Sequence, residues 1–301
     1  MFHNITIESS LVGLSIGLHN VIDMENGIME WGTVSAASMI GMVFTLAVSI
    51  GLPIILGIAV YKKTHARISS CFIGVGIFTG FALILEQIVH AVVLGLTGTV
   101  IRDNVFLTAL YGGLAAALFE ETGRFVAMKY CMKKNLDKGD ALMYGVGHGG
   151  AEAILIVGLV YINNLITSVM INTGGMQLAM AQLDPALQES TYRQLQLLWQ
   201  LPANGFYLAG VERMSAIVLQ ISFSVLVYKS VKTGQKKFFA GAFLLHFLVD
   251  FMTVVTAGAG IPSWAVEFEI AVITAVIAFG VARIYRHEKN EGIEESGNAG
   301  L

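Results

Sequence analysis

Apolar residues run along this chain in long, nearly unbroken blocks, and short polar clusters separate them. Seven blocks lie near residues 33–60, 68–96, 104–130, 141–171, 203–229, 238–258 and 264–285. Each is long enough for the ~20 residues that a membrane-crossing helix needs. The pattern predicts an all-α, polytopic membrane bundle of about seven transmembrane helices. Pro53 is the one proline inside a block, and a kink is expected there. Residues 172–202 form a long polar loop. Within it "LDPALQESTYRQLQLLWQ" predicts a surface helix begun by Asp184 and Pro185. Residues 1–32 predict an interfacial, extracytoplasmic segment, because Glu8 and His19 bracket only a short apolar run. They also lack the basic n-region of a cleavable signal peptide. The stretch 286–301 reads as a disordered tail, which leaves 33–285 as one transmembrane domain with no internal repeat.

Composition agrees with the block pattern. Hydrophobic residues make up 55% of the chain and charged residues 13%, where soluble domains average ~25% charged. No basic patch is interleaved with aromatics, so a nucleic-acid partner is not expected. Cys71 and Cys131 fall within or at the end of apolar blocks and read as buried thiols, not as a disulfide or a metal knuckle.

The basic residues give an orientation. Fourteen of the eighteen fall in alternate loops or the tail: Lys62, Lys63 and Arg67; Lys129, Lys133, Lys134 and Lys138; Lys229, Lys232, Lys236 and Lys237; Arg283, Arg286 and Lys289. The opposite loops hold only Arg102 and Arg193. The positive-inside rule then places the N-terminus outside and the C-terminus in the cytoplasm.

Ionisable residues inside the blocks carry the functional signal, since each charge at mid-bilayer costs at least ~2.5–3.5 kcal/mol. Counted from the lysine-rich ends, Glu121, His148 and His246 share a depth of roughly 12 Å, at ~1.5 Å per residue. Glu120, Glu152 and Asp250 lie slightly deeper. Arg124 is spaced i,i+4 from Glu120 and i,i+3 from Glu121, so either carboxylate can reach it. His148 and Glu152 are i,i+4, as are His246 and Asp250, so each carboxylate could orient its imidazole or join it as a ligand. The glycines of "YGVGHGGAEA" let neighbouring helices approach His148. A second polar set, Glu86, His90, Glu212 and Arg213, lies nearer the lysine-poor face. It reads either as a substrate entrance or as a helix–helix clamp.

The order of these motifs resembles a known superfamily. "EETGR" at 120–124, "YGVGH" at 144–148 and "HFLVD" at 246–250 resemble the three motifs of the CAAX-protease, bacteriocin-processing and PrsW superfamily of intramembrane peptidases. With "HGGAEA" following the second motif and "GVERMSAI" at 210–217, the chain looks most like the YhfC family of intramembrane metalloproteases. The EExxR spacing departs from the EExxxR of CAAX proteases, which argues against a prenylated substrate. The resemblance implies a peptide hydrolase of the bacterial plasma membrane that acts on a membrane-associated peptide or protein. Glu120, Glu121, Arg124, His148, Glu152, His246 and Asp250 would form its catalytic set. Two mechanisms stay open. In one, His148 and His246 hold a zinc ion that polarises the carbonyl. In the other, a glutamate activates water and the imidazoles stabilise the oxyanion. Glu121, matched in depth to both histidines, is the expected base, in a chamber expected to open to the cytoplasm. The rival class is a proton- or ion-coupled transporter using the same cluster.

Overall fold

The computed structural model describes residues 29–298, with side chains for all but 135 and 287–298. Most of the expected interfacial segment at 1–32 therefore lies outside the described residues. In chain order the helices are α1 Ala36–Thr64, α2 Ile68–Thr97, α3 Val105–Cys131, α4 Lys138–Asn172, α5 Gly175–Ala181, α6 Pro185–Gln200, α7 Ala203–Thr233, α8 Lys236–Gly258 and α9 Ser263–Asn298. Short connections join them. Seven of these helices, α1–α4 and α7–α9, are long and apolar enough to span a bilayer, and they match the seven expected blocks. Large apolar side chains such as Ile54, Phe72, Leu96, Leu159, Phe268 and Val276 point outward. In water that surface would be untenable, and in lipid it is the solvent-facing side of an integral membrane protein.

The polar clusters between blocks work as helix caps. Ser35, Asn104 and Asp137 each accept a backbone N–H from the first turn of α1, α3 and α4. Asp184 does the same for α6 ahead of Pro185, as expected. The loop helix α6 docks on the start of α1. There Trp31, Tyr192 and Trp199 form an aromatic cluster, and the Asn172 side chain bonds both N–H and C=O of Val34. Between α1 and α2, Asp140 of α4 accepts from Arg67 Nε at 3.0 Å and NH2 at 2.6 Å, from the Arg67 backbone N–H, and from the Ser70 hydroxyl.

Helices α4 and α7 occupy the middle. α4 packs on α1, α2 and α7, while α7 also meets α8 and α9, and α8 closes onto α3. Small residues permit the tightest approach. A Cβ on Gly147 of α4 would stand 2.0 Å from the Cys71 carbonyl oxygen of α2, and one on Gly74 of α2 would stand 2.4 Å from the Tyr144 carbonyl oxygen of α4. The backbones of α2 and α4 therefore touch beside His148.

Pro53 lies within α1, and its ring fits where Gly150 of α4 has no side chain. Other features differ from expectation. Cys131 is exposed at the end of α3, not buried, because the chain turns there into the lysine-rich loop. Helix α9 runs past Arg286 to Asn298. The helix α5 in the loop was not foreseen, since its seven residues carry no periodic signal. Three stretches are π-helical: Phe78–Glu86, Ala127–Cys131 and Ala153–Gly158.

Candidate active site

Helix α3 delivers Glu120, Glu121 and Arg124 to the centre of the bundle, where they are 1%, 0% and 0% exposed. Each carboxylate meets an imidazole from a different helix. Glu120 Oε2 lies 3.0 Å from His148 Nε2 of α4, and Glu121 Oε1 lies 2.8 Å from His246 Nδ1 of α8. Arg124 NH1 donates to both oxygens of Glu121, at 3.1 and 3.3 Å. Phe223 of α7 stacks on His246 with ring centroids 5.0 Å apart. His148 is held edge-on by Phe78 and alongside Tyr144, whose hydroxyl is 3.5 Å from Nδ1. The shared depth thus becomes contact between helices, Glu120 with His148 and Glu121 with His246.

Of the two carboxylates expected within reach of Arg124, Glu121 is the one its NH1 bonds. One suggested pairing differs. Glu152 does not orient His148; its oxygens bond Arg213 NH1 at 2.9 Å and Gln220 Nε2 at 2.8 Å. His148 and Glu152 both lie in the α-helical stretch Lys138–Glu152, so their i,i+4 spacing stands; the partners differ because α3 brings Glu120 to His148 while α7 brings Arg213 and Gln220 to Glu152. Asp250 keeps its expected place, 3.6 Å from His246 Nε2.

Gln220 was not anticipated. Its amide donates to Glu120 Oε2 at 2.9 Å as well as to Glu152, and its carbonyl oxygen accepts from Arg124 NH2. One neutral side chain thereby ties three charged ones from two helices. A sequence signal existed: Gln220 is a lone amide in the apolar stretch of α7, on the same helical face as Arg213. Glu267 of α9 was also missed. It is buried, with Oε2 lacking a hydrogen-bond partner, and lies within electrostatic reach of Glu212 and Arg213.

The second polar set joins the first. Glu86, at the end of the π-helical stretch of α2, bonds His90 Nε2 at 3.1 Å, and the Tyr111 hydroxyl of α3 lies 2.9 Å from His90 Nδ1. Arg213 binds Glu212 and, through NH1, Glu152. Members of both sets line one chamber of about 100 Å³, with Gln87, Glu120, Gln220, His246, Asp250 and Thr253 among its walls. That volume holds several waters, each needing ~10–15 Å³. Glu120 and His246 face the chamber, whereas Glu121 and His148 stand behind them. The chamber does not open toward the lysine-rich ends, contrary to expectation. On that side Met128, Met132, Ala141, Tyr144, Leu226 and Ala242 belong to a close-packed apolar core.

The bundle and this cluster define a class: a polytopic membrane protein with a buried carboxylate–imidazole site in the middle of its helix bundle. Residues 48–272 match the family described as YhfC intramembrane metalloprotease. The chain is 32% identical over 257 residues to the "Uncharacterized membrane protein YhfC" of Bacillus subtilis (strain 168), covering 84% of this chain and 98% of that one. The chain belongs to the YhfC family. No solved structure matches it.

The family's description implies a metal. Among the described residues no group of three or more His, Cys, Asp and Glu side chains is placed to hold one. His148 and His246 present different ring nitrogens to different carboxylates, and the donors of Arg124 and Gln220 bond those same carboxylates. As arranged, the set does not fit a metal ion such as zinc.

Proposed function

We propose that this protein is an intramembrane peptide hydrolase in which Glu120, not Glu121, activates the water, and in which His246 faces the carbonyl of a membrane-associated peptide or protein. The observation that carries this reading is the arrangement around the chamber. Glu120 and His246 line it from α3 and α8, each backed by a partner of the opposite kind. His148 and Gln220 hold the Glu120 carboxylate in place at the chamber wall. Glu121 at Nδ1 sets the ring of His246, leaving Nε2 beside Asp250 on the chamber side.

The chemistry follows from those positions. Glu120 takes a proton as the water oxygen bonds to the peptide carbonyl carbon. His246 Nε2–H donates to the developing oxyanion, with Glu121 stabilising positive charge on the ring. The C–N bond then breaks as Glu120 returns the proton to the leaving nitrogen, which releases an amine and a carboxylic acid. Arg124 offsets the charge of Glu121, since two adjacent carboxylates resist joint ionisation.

The test is cleavage of single-span reporter peptides in proteoliposomes. Glu120→Gln is expected to keep the fold and lower turnover by at least ~10²-fold, and chelators are expected to leave the wild-type rate unchanged. Loss of activity on chelation, with metal bound by wild type but not by His148→Ala, would restore the zinc mechanism. Wild-type cleavage by both Glu120→Gln and His246→Ala would refute the hydrolase reading in favour of an ion-coupled carrier.

A further inference from the structure

The chamber is asymmetric along the membrane normal, and the asymmetry extends to its charge. Every helix that lines it does so from the depth of the catalytic pairs toward the lysine-poor ends. The lining runs from His246 through Asp250 to Val254 on α8, and from Phe223 through Gln220 to Glu212 on α7. On α2 it includes Ala82, Glu86 and Gln87, and on α3 it rises from Glu120 to Gly112. On α7 and α8 exposure rises the same way, while Glu86 on α2 and Gly112 on α3 are buried. On α8 the side chain goes from 6% exposed at His246 to 36% at Asp250, one turn further on. On α7 Glu212 reaches 14%. In the other direction Met128 and Tyr144 are fully buried in the apolar core. The described lining holds five carboxylate side chains, Glu86, Glu120, Glu152, Glu212 and Asp250, against one guanidinium, Arg213. Low-dielectric walls around such an excess focus a negative potential into the cleft.

We infer that the chamber is reached from the lysine-poor half of the protein, and that its acidic mouth, with Glu86 and Glu212 on facing helices, selects a cationic segment of a membrane-anchored polypeptide. The selection rests on the hydrolase reading, but the route and the potential can be measured without turnover. A peptide segment carrying Lys or Arg beside its anchor would exchange its counter-ions for the Glu86 and Glu212 carboxylates as it enters. An acidic segment would meet repulsion at every step toward Glu120. The second polar set, a clamp or an entrance by sequence, is on this view the entrance, with the His90–Tyr111 contact holding the Glu86 side of it.

The experiment is thiol labelling of the full-length protein in oriented membranes, with Cys71→Ser and Cys131→Ser as background. Thr253→Cys and Val254→Cys report the mouth, Met128→Cys the apolar core, and Lys133→Cys the lysine-rich side. An impermeant methanethiosulfonate is expected to modify Thr253→Cys from the side opposite Lys133→Cys and to leave Met128→Cys unmodified. A cationic reagent should outpace an anionic one of equal size at Thr253→Cys by at least ~10-fold more than on a free thiol, and Glu212→Gln should narrow that ratio. Val254→Cys serves if Thr253→Cys fails to fold. Labelling from the Lys133 side would overturn the route. A cationic-to-anionic ratio no greater than that of a free thiol would overturn the cationic selection. Neither result depends on whether Glu120→Gln cleaves.

Discussion

Gln220→Leu should be the most damaging neutral substitution in the bundle. Leucine nearly matches the volume of glutamine, so no cavity forms, and the cost is electrostatic. Three contacts vanish together: the acceptor for Arg124 NH2, the donor to Glu120 Oε2 at 2.9 Å, and the donor to Glu152 Oε2 at 2.8 Å. Each buried group left unsatisfied costs ~1–3 kcal/mol. Glu120 keeps His148, Glu152 keeps Arg213, and Arg124 keeps Glu121, so the low end applies to each. The expected loss is about 3 kcal/mol, roughly a hundredfold in the folding equilibrium at ~1.4 kcal/mol per decade. The assay is equilibrium unfolding in mixed micelles, with Ser222→Ala as control. The Ser222 hydroxyl bonds only the Val218 carbonyl of its own helix, and its loss should cost under ~0.5 kcal/mol. If Gln220→Leu unfolds with the control and the wild type, the three charges are not joined through Gln220, and the argument for a preorganised Glu120 fails.

Three other outcomes are expected. Gly147→Ala puts a Cβ 2.0 Å from the Cys71 carbonyl oxygen; neither backbone can yield cheaply, so stability should fall by ~1–3 kcal/mol and turnover should fall with it, read by melting and cleavage together. Arg67→Ala should destabilise more than Asp140→Asn, because the first leaves a carboxylate that is 1% exposed without its charged partner, with only the residue-67 N–H and the Ser70 hydroxyl to bond it, while the second leaves a guanidinium that is 39% exposed and can reach water; the reverse order in unfolding experiments would contradict this. Reporter fusions after Lys138 and Lys236 should register cytoplasm, and one after Gln188 the opposite side, from the distribution of basic residues.

The bilayer made much of this protein legible in its sequence. A hydrocarbon slab of fixed thickness forces helices of fixed length, so the seven apolar blocks became seven long helices, and residues such as Asp184 with Pro185 marked a helix start that needs only local bonding. The same slab makes charge rare, so Glu120, Glu121, Arg124, His148 and His246 stood out, and counting along each helix brought Glu121, His148 and His246 to one level before any coordinate did. Tertiary structure decided which of them touch. Spacing of i,i+4 describes neighbours on one helix, and it suggested Glu152 for His148. The chosen partner, Glu120, comes from another helix, because contact across helices depends on rotation about each axis. That rotation is set by how the helices pack, as in the α2–α4 approach at Gly147. Gln220 and Glu267 escaped for a related reason: one polar residue in an apolar run means little until the helix beside it is known. The direction in which the chamber opens was hidden as well. Depth is a property of each helix alone, but an opening is the space that six packed helices fail to fill.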